Sequence, residues 1–107
     1  MARKFEFHEK LYLGESIEVK KVDKIKKKLR SKLLLSNEYL ILPARNQKEQ
    51  LDIMEAKQLA QRHYDGATFL VIGIAADYKD ALGVIERLVQ DCLKERGDCK
   101  LREYLSC

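Results

Sequence analysis

The residues of this 107-residue chain whose types could do chemistry are few and scattered. His63, Tyr64 and Asp65 are consecutive, and an imidazole that titrates near neutrality beside a carboxylate is the least that acid–base work requires. They fall at the end of a helical pattern, where the helix dipole favours a cationic ring for structural reasons alone. His8 lies on the polar side of an alternating segment and is assigned no role. Cys92, Cys99 and Cys107 are odd in number and form no C-x-x-C pair, and with only His8 and His63 to join them no zinc-ligand spacing emerges. No metal and no cofactor are expected. The thiols suit a reducing cytoplasm, with Cys92 inside an apolar helical pattern and Cys99 more exposed after Gly97 and Asp98.

Two further groups follow apolar runs. Arg45, Asn46 and Asp52 come after the run 39–42, and Asp77, Tyr78 and Asp80 come after the run 69–75. Open α/β sheets bind ligands outside the carboxyl ends of their strands, so parallel runs would bring Arg45, Asn46, Asp52, Asp77 and Tyr78 to one edge. Arg45 would take an anionic group there, and Asp77 a hydroxyl or a cation. The acids have a plainer use, because Asp52 and Asp77 stand where helix N-caps belong and Asp80 falls in a first turn. Nucleotide motifs are missing. The first turn reads Leu13-Gly14-Glu15-Ser16-Ile17, with one glycine and an acid that would repel a pyrophosphate, and neither a P-loop nor G-x-S-x-G occurs.

Charge is unevenly divided. Residues 1–32 carry 11 Lys/Arg against 5 Asp/Glu, whereas residues 33–107 are slightly acidic, for a net charge of +4. The excess lies in Lys20, Lys21, Lys24, Lys26, Lys27, Lys28, Arg30 and Lys32, which would give a helix an almost wholly cationic outer face. Such a face neutralises phosphates by counterion release, with Lys20, Lys24, Lys27, Lys28 and Arg30 as the contacts. The run has no interleaved aromatic for stacking on single strands and one arginine for base edges, so an ordinary solvated face is the plainer explanation, ahead of contact with nucleic acid or an acidic partner.

The elements that must position these residues follow from periodicity. One compact domain, residues 1–107, is what the length and the 46% apolar content permit, and 36% charged residues do not outweigh that apolar content. The longest apolar stretch, residues 67–76, is about half of a bilayer-spanning helix, and the start MARKFEFHEK lacks the apolar core of a secretory signal. Neither a membrane span nor export is expected. Phe5, Phe7, Leu11 and Leu13 alternate with Lys4, Glu6, His8, Lys10 and Tyr12, which predicts a half-buried edge strand ending at Gly14, with Glu9 the one misfit. Val22, Ile25, Leu29 and Leu33 predict a helix over residues 17–31 with Ser16 as its cap.

Residues 39–42 read as a strand that stops at Pro43, residues 44–51 as a polar loop, and residues 52–64 as a helix opened by a capping box of Asp52 and Glu55. Gly66 would end that helix. Residues 69–75 are β-branched and apolar on both faces, the signature of a central strand. Asp77 then caps a helix with the stripe Tyr78, Ala81, Leu82, Ile85, Leu88, Val89 and Cys92, closed at Gly97. Gly83 lies opposite that stripe among Lys79, Glu86, Arg87 and Gln90, where alanine would be more stable by about 1 kcal/mol. The tail 101–105 would add a short edge strand or pack as coil.

Strand, helix, strand, helix, strand, helix demands crossovers. The expected fold is therefore α/β, with a small mostly parallel sheet of three to four strands and helices packed on it. At KLYLGESI, LDIMEA, FLVIGIAADYKDAL and REYL the chain resembles small uncharacterised bacterial α/β proteins of similar length. The resemblance implies a cytoplasmic bacterial protein and attaches no activity and no functional residues.

Three readings of function follow. The first is a non-enzymatic interaction or regulatory module, since an intact α/β pattern carries no catalytic constellation; a homo-oligomer or a protein partner would form at an open sheet edge. The second is nucleic-acid binding by the Lys20–Lys32 face. The third is a small-ligand protein or enzyme using the carboxyl edge of the sheet.

Overall fold

The computed structural model describes residues 4–31, 37–44, 50–60 and 68–106. Along the chain come β1 (Lys4–Leu13), a 3-10 turn (Val19–Lys21), α1 (Val22–Ser31), β2 (Tyr39–Pro43), β3 (Leu51–Glu55), a second 3-10 turn (Ala56–Ala60), β4 (Thr68–Ala75), α2 (Tyr78–Arg96) and the short α3 (Leu101–Tyr104). The four strands form one sheet in the order β1-β4-β2-β3.

The fold is α/β, but the sheet is mixed where a mostly parallel one was expected. β1 and β4 pair in parallel, from Phe5 opposite Phe69 to Leu13 opposite Ile74. β2 runs antiparallel to β4, with Tyr39 opposite Ala75, and antiparallel to β3, with Tyr39 opposite Glu55 and Pro43 opposite Leu51. The expected helix over residues 52–64 is absent from its first part. Residues 51–55 extend as β3, Ala56–Ala60 coil as a 3-10 turn, and residues 61–64 of the expected helix, with Gly66, lie outside the described residues. The C-terminal segment is a single helical turn and not an edge strand.

Hydrophobic burial divides cleanly between the two faces of the sheet. On one face Leu40, Leu42, Phe69, Val71 and Ile74 pack against Ile25 and Leu29 of α1 and against Ala56 and Leu59. On the other, Ile41, Ile72 and Ala75 pack against Ala81, Val84, Leu88 and Cys92 of α2, with Leu101 and Leu105 closing one end. Each fully buried Leu or Ile contributes about 1.5–3 kcal/mol, so these two stripes supply most of what holds the helices to the sheet.

The alternation expected of β1 holds, since Phe5, Phe7, Leu11 and Leu13 join the α1 layer and Tyr12 the α2 layer. The misfit at Glu9 has a cause, because the register with β4 breaks between Phe7 and Tyr12. β4 is irregular at the same level. Ile72 and Gly73 both turn toward α2, and a side chain on Gly73 would lie 3.0 Å from Ile41 Cδ1 and 3.1 Å from Val84 Cγ1. The missing Cβ is what lets the helix settle onto the strand at that point.

Helix termini differ in quality. Asp77 Oδ1 accepts from the Asp80 amide at 2.8 Å, and Gly97 closes α2 at φ 80° with its amide donating to Leu93 O. Asp77 is therefore the N-cap its spacing predicts. Ser16 is not a cap: the first helical turn starts three residues later, after Glu18, whose side chain makes no capping bond, and Val19 is left 78% exposed.

Candidate functional site

The carboxyl ends of β1 and β4 lie side by side, and their connections leave toward opposite faces, β1 toward α1 and β4 toward α2. A crevice opens where adjacent parallel strands diverge in this way. Here it has a volume of about 740 Å³ and is lined by Glu15 and Ser16 of the turn and by Lys79, Gly83, Glu86 and Arg87 of α2. The Gly14 amide donates to Ile74 O at 2.8 Å, which ties the turn to the end of β4.

Two of the polar groups lining the crevice are engaged within the protein. Asp80 Oδ2 accepts from the Ala76 amide at 3.0 Å, and Arg87 donates from its guanidinium to Leu13 O. A Cβ on Gly14 would collide with the Asp80 carboxylate, which would have to leave its bond to the Ala76 amide to make room. Asp77 and Asp80 thus fasten the start of α2, and Arg87 ties the helix to the end of β1. Sequence alone left that use of Arg87 invisible.

The residues expected to gather at the carboxyl edge do not all meet. Because β2 runs against β4, Asp52 pairs with Leu42 at the opposite end of the sheet from Asp77. It borders a separate hollow of about 220 Å³ with Pro43, Thr68 and Leu70. Asp77 is engaged as a cap. Tyr78 stands 54% exposed, its ring edge-on to Tyr39 with centroids 6.4 Å apart. Arg45, Asn46 and the His63-Tyr64-Asp65 run lie outside the described residues.

The polar side of β1 does more than its alternation suggested. His8 Nε2 donates to Leu105 O at 2.7 Å while Nδ1 accepts from the Lys10 amide at 3.0 Å, so both ring nitrogens are occupied. The Tyr12 hydroxyl donates to Asp91 of α2. Burial, with the Asp91 and Tyr104 hydrogen bonds beside it, pushes the Tyr12 phenol well above the ordinary tyrosine range. Lys10 Nζ sits 4.4 Å from the centre of the Tyr104 ring. His8, Lys10 and Tyr12 therefore grip α2 and the tail, and the only available signal was their shared parity along the strand.

The cationic helix carries its expected charge, partly neutralised. Lys20 and Lys21 reach Glu18 at 3.5 and 3.9 Å, and Lys28 reaches Glu38 at 4.0 Å. Lys26 Nζ and Arg30 Cζ lie 5.1 and 5.0 Å from the centre of the Phe7 ring. The sequence run holds no aromatic, yet the fold brings one to it from β1. Lys20, Lys24, Lys27 and Arg30 all have outward positions.

The outer shoulder of α2 is the apolar surface the sequence reading folded into the core. Only Ala81, Val84, Leu88 and Cys92 of that helix are buried. Leu82 and Leu93 are 47% and 46% exposed, and with Tyr78 and the half-buried Ile85 and Val89 they form a second stripe at the spacing of adjacent helical turns. Beside it runs the row Lys79, Gly83, Glu86 and Gln90, where a side chain on Gly83 would meet nothing within 4 Å.

At the far end of α2, Arg96 pairs with Asp98 at 3.2 Å and Glu103 at 2.8 Å, and the Arg96 hydrogen bonds hold the Asp98 carboxyl below the usual range. Among the described residues there is no cluster of three metal-ligating side chains and no helix long and apolar enough to cross a membrane. No protein-family model, curated protein or solved structure shows significant similarity to the chain.

Proposed function

We propose that the chain is a non-enzymatic interaction or regulatory module of the cytoplasm whose contact surface is the outer shoulder of α2. One observation carries this reading. Three of the polar side chains lining the crevice, Asp77, Asp80 and Arg87, are engaged in holding the fold, while Tyr78 and Leu93 of the same helix, and Leu82 at the crevice itself, stay about half exposed. Monomeric proteins seldom leave apolar side chains in a contiguous row without a use for it. The crevice at the β1 and β4 ends remains as a third reading, with Lys79 and Glu86 as the charged groups on its wall.

A photo-crosslinking residue at position 82 tests the reading against one at Lys57, an exposed residue on the other side of the sheet. Covalent adducts from position 82 and none from position 57 are expected. Equal or absent crosslinking at both sites overturns the proposal.

A second reading, polyanion binding on α1, is supported by the cations assembled around Phe7. Duplex and single-stranded oligonucleotides should then bind with an affinity that falls steeply with salt. Replacing Lys24, Lys27 and Lys28 by glutamate should abolish that binding; unchanged binding removes the reading.

A further inference from the structure

We infer that the partner on the α2 shoulder is a second copy of this chain, crossing antiparallel about a two-fold axis between Leu82 and Gly83. The inference rests on the interaction reading above and names its partner.

Three features of α2 fit one symmetry operation. Lys79 and Glu86 are two turns apart in the same outer row, are opposite in charge, and form no ion pair with any described residue. An antiparallel two-fold midway between them sets Lys79 against Glu86 of the partner subunit, and symmetry repeats the pair. A parallel alignment in register would instead place like charges together. The same axis brings Leu82, 47% exposed, over Gly83 of the partner subunit, where nothing lies within 4 Å of a Cβ position.

A large apolar side chain thus meets a gap in the opposing helix, and the arrangement is self-complementary, as a closed dimer requires. Gly83 weakens the helix by about 1 kcal/mol relative to alanine, a cost that close approach of two helices would offset.

Sedimentation equilibrium over a concentration series tests the pairing. Wild-type protein should be dimeric at about 100 µM and dissociate on dilution, as modest interfaces do. Lys79→Glu should weaken association by about tenfold or more, because two attractive pairs become repulsive. Combining Lys79→Glu with Glu86→Lys should restore it, and circular dichroism should show all three proteins equally folded.

A wild-type monomer at every concentration overturns the inference, as does a single variant that still pairs or a double variant that does not. Crosslinks from position 82 to a different protein, with a monomeric wild type, overturn self-pairing and leave the interaction reading standing. Loss of all crosslinks from position 82 removes both.

Discussion

α1 and α2 each lay a buried stripe on one face of the same sheet, Ile25 and Leu29 on one side and Ala81, Val84, Leu88 and Cys92 on the other, yet their outer surfaces share almost nothing. α1 and the 3-10 turn that leads into it show solvent lysines, some paired with Glu18 and Glu38, and that turn starts without a side-chain cap. α2 is capped at both ends and shows solvent a row of half-exposed apolar side chains. The core makes the same demand on both helices. What differs is the side that the core does not constrain, so that side is where a use for the protein leaves its mark.

The comparison can be broken by core truncation. Leu88→Ala, at a fully buried position, should cost about 2–5 kcal/mol in urea unfolding. Leu82→Ala should change stability by less than about 1 kcal/mol at dilutions where the protein is monomeric. Equal losses would mean that the shoulder is core and that α2 has no free face.

Helix starts offer a second contrast. Asp77→Ala removes a bond to the Asp80 amide and should cost about 1 kcal/mol, while Glu18→Ala, where no capping bond exists, should cost no more than about 0.5 kcal/mol. Gly83→Ala should raise stability by about 1 kcal/mol in dilute solution, since the added methyl meets open space. A loss there would mean that the outer row is already covered within one chain.

Alkaline pH sharpens the picture of how α2 is tied to β1. The folded Tyr12 phenol titrates above its ordinary value of 10.0, so the unfolded chain ionises first. Its contribution to stability should be complete below that pH and decline as pH rises beyond it. Tyr12→Phe should make the decline shallower in urea titrations followed across pH 9 to 11, with about half a unit between points. An unchanged slope would detach Tyr12 from the linkage.

Much of the fold was legible in the residues. β1, β4, the burial of α1 on Ile25 and Leu29, and the Asp77 and Gly97 termini of α2 all follow from period and cap chemistry. Strand direction was not, because a run such as Tyr39–Leu42, apolar on both faces, looks alike in parallel and antiparallel company. The misreading of Leu51–Glu55 compounded this. Asp52 and Glu55 are spaced as a capping box, but Leu51 and Ile53 also alternate with Asp52 and Met54, and pairing with β2 decides for the strand.

One such inversion moves Asp52 to the other end of the sheet and dissolves the expected ligand edge. The shoulder of α2 escaped for a similar reason. Tyr78 and Leu82 sit beside Ala81 on a helical wheel, and only the width of the covered face says which are inside.

The end of α2 has a practical consequence. Cys92 is fully enclosed, and burial together with the Asp98 carboxylate nearby pushes its thiol above the ordinary range, so it stays protonated and unreactive at neutral pH. Cys99, just past the helix end, is exposed. A thiol reagent should therefore modify Cys99 at the rate of free solution and reach Cys92 only when the helix lifts from the sheet. The chain carries its own clock for that opening, readable by mass spectrometry as the slow modification of Cys92.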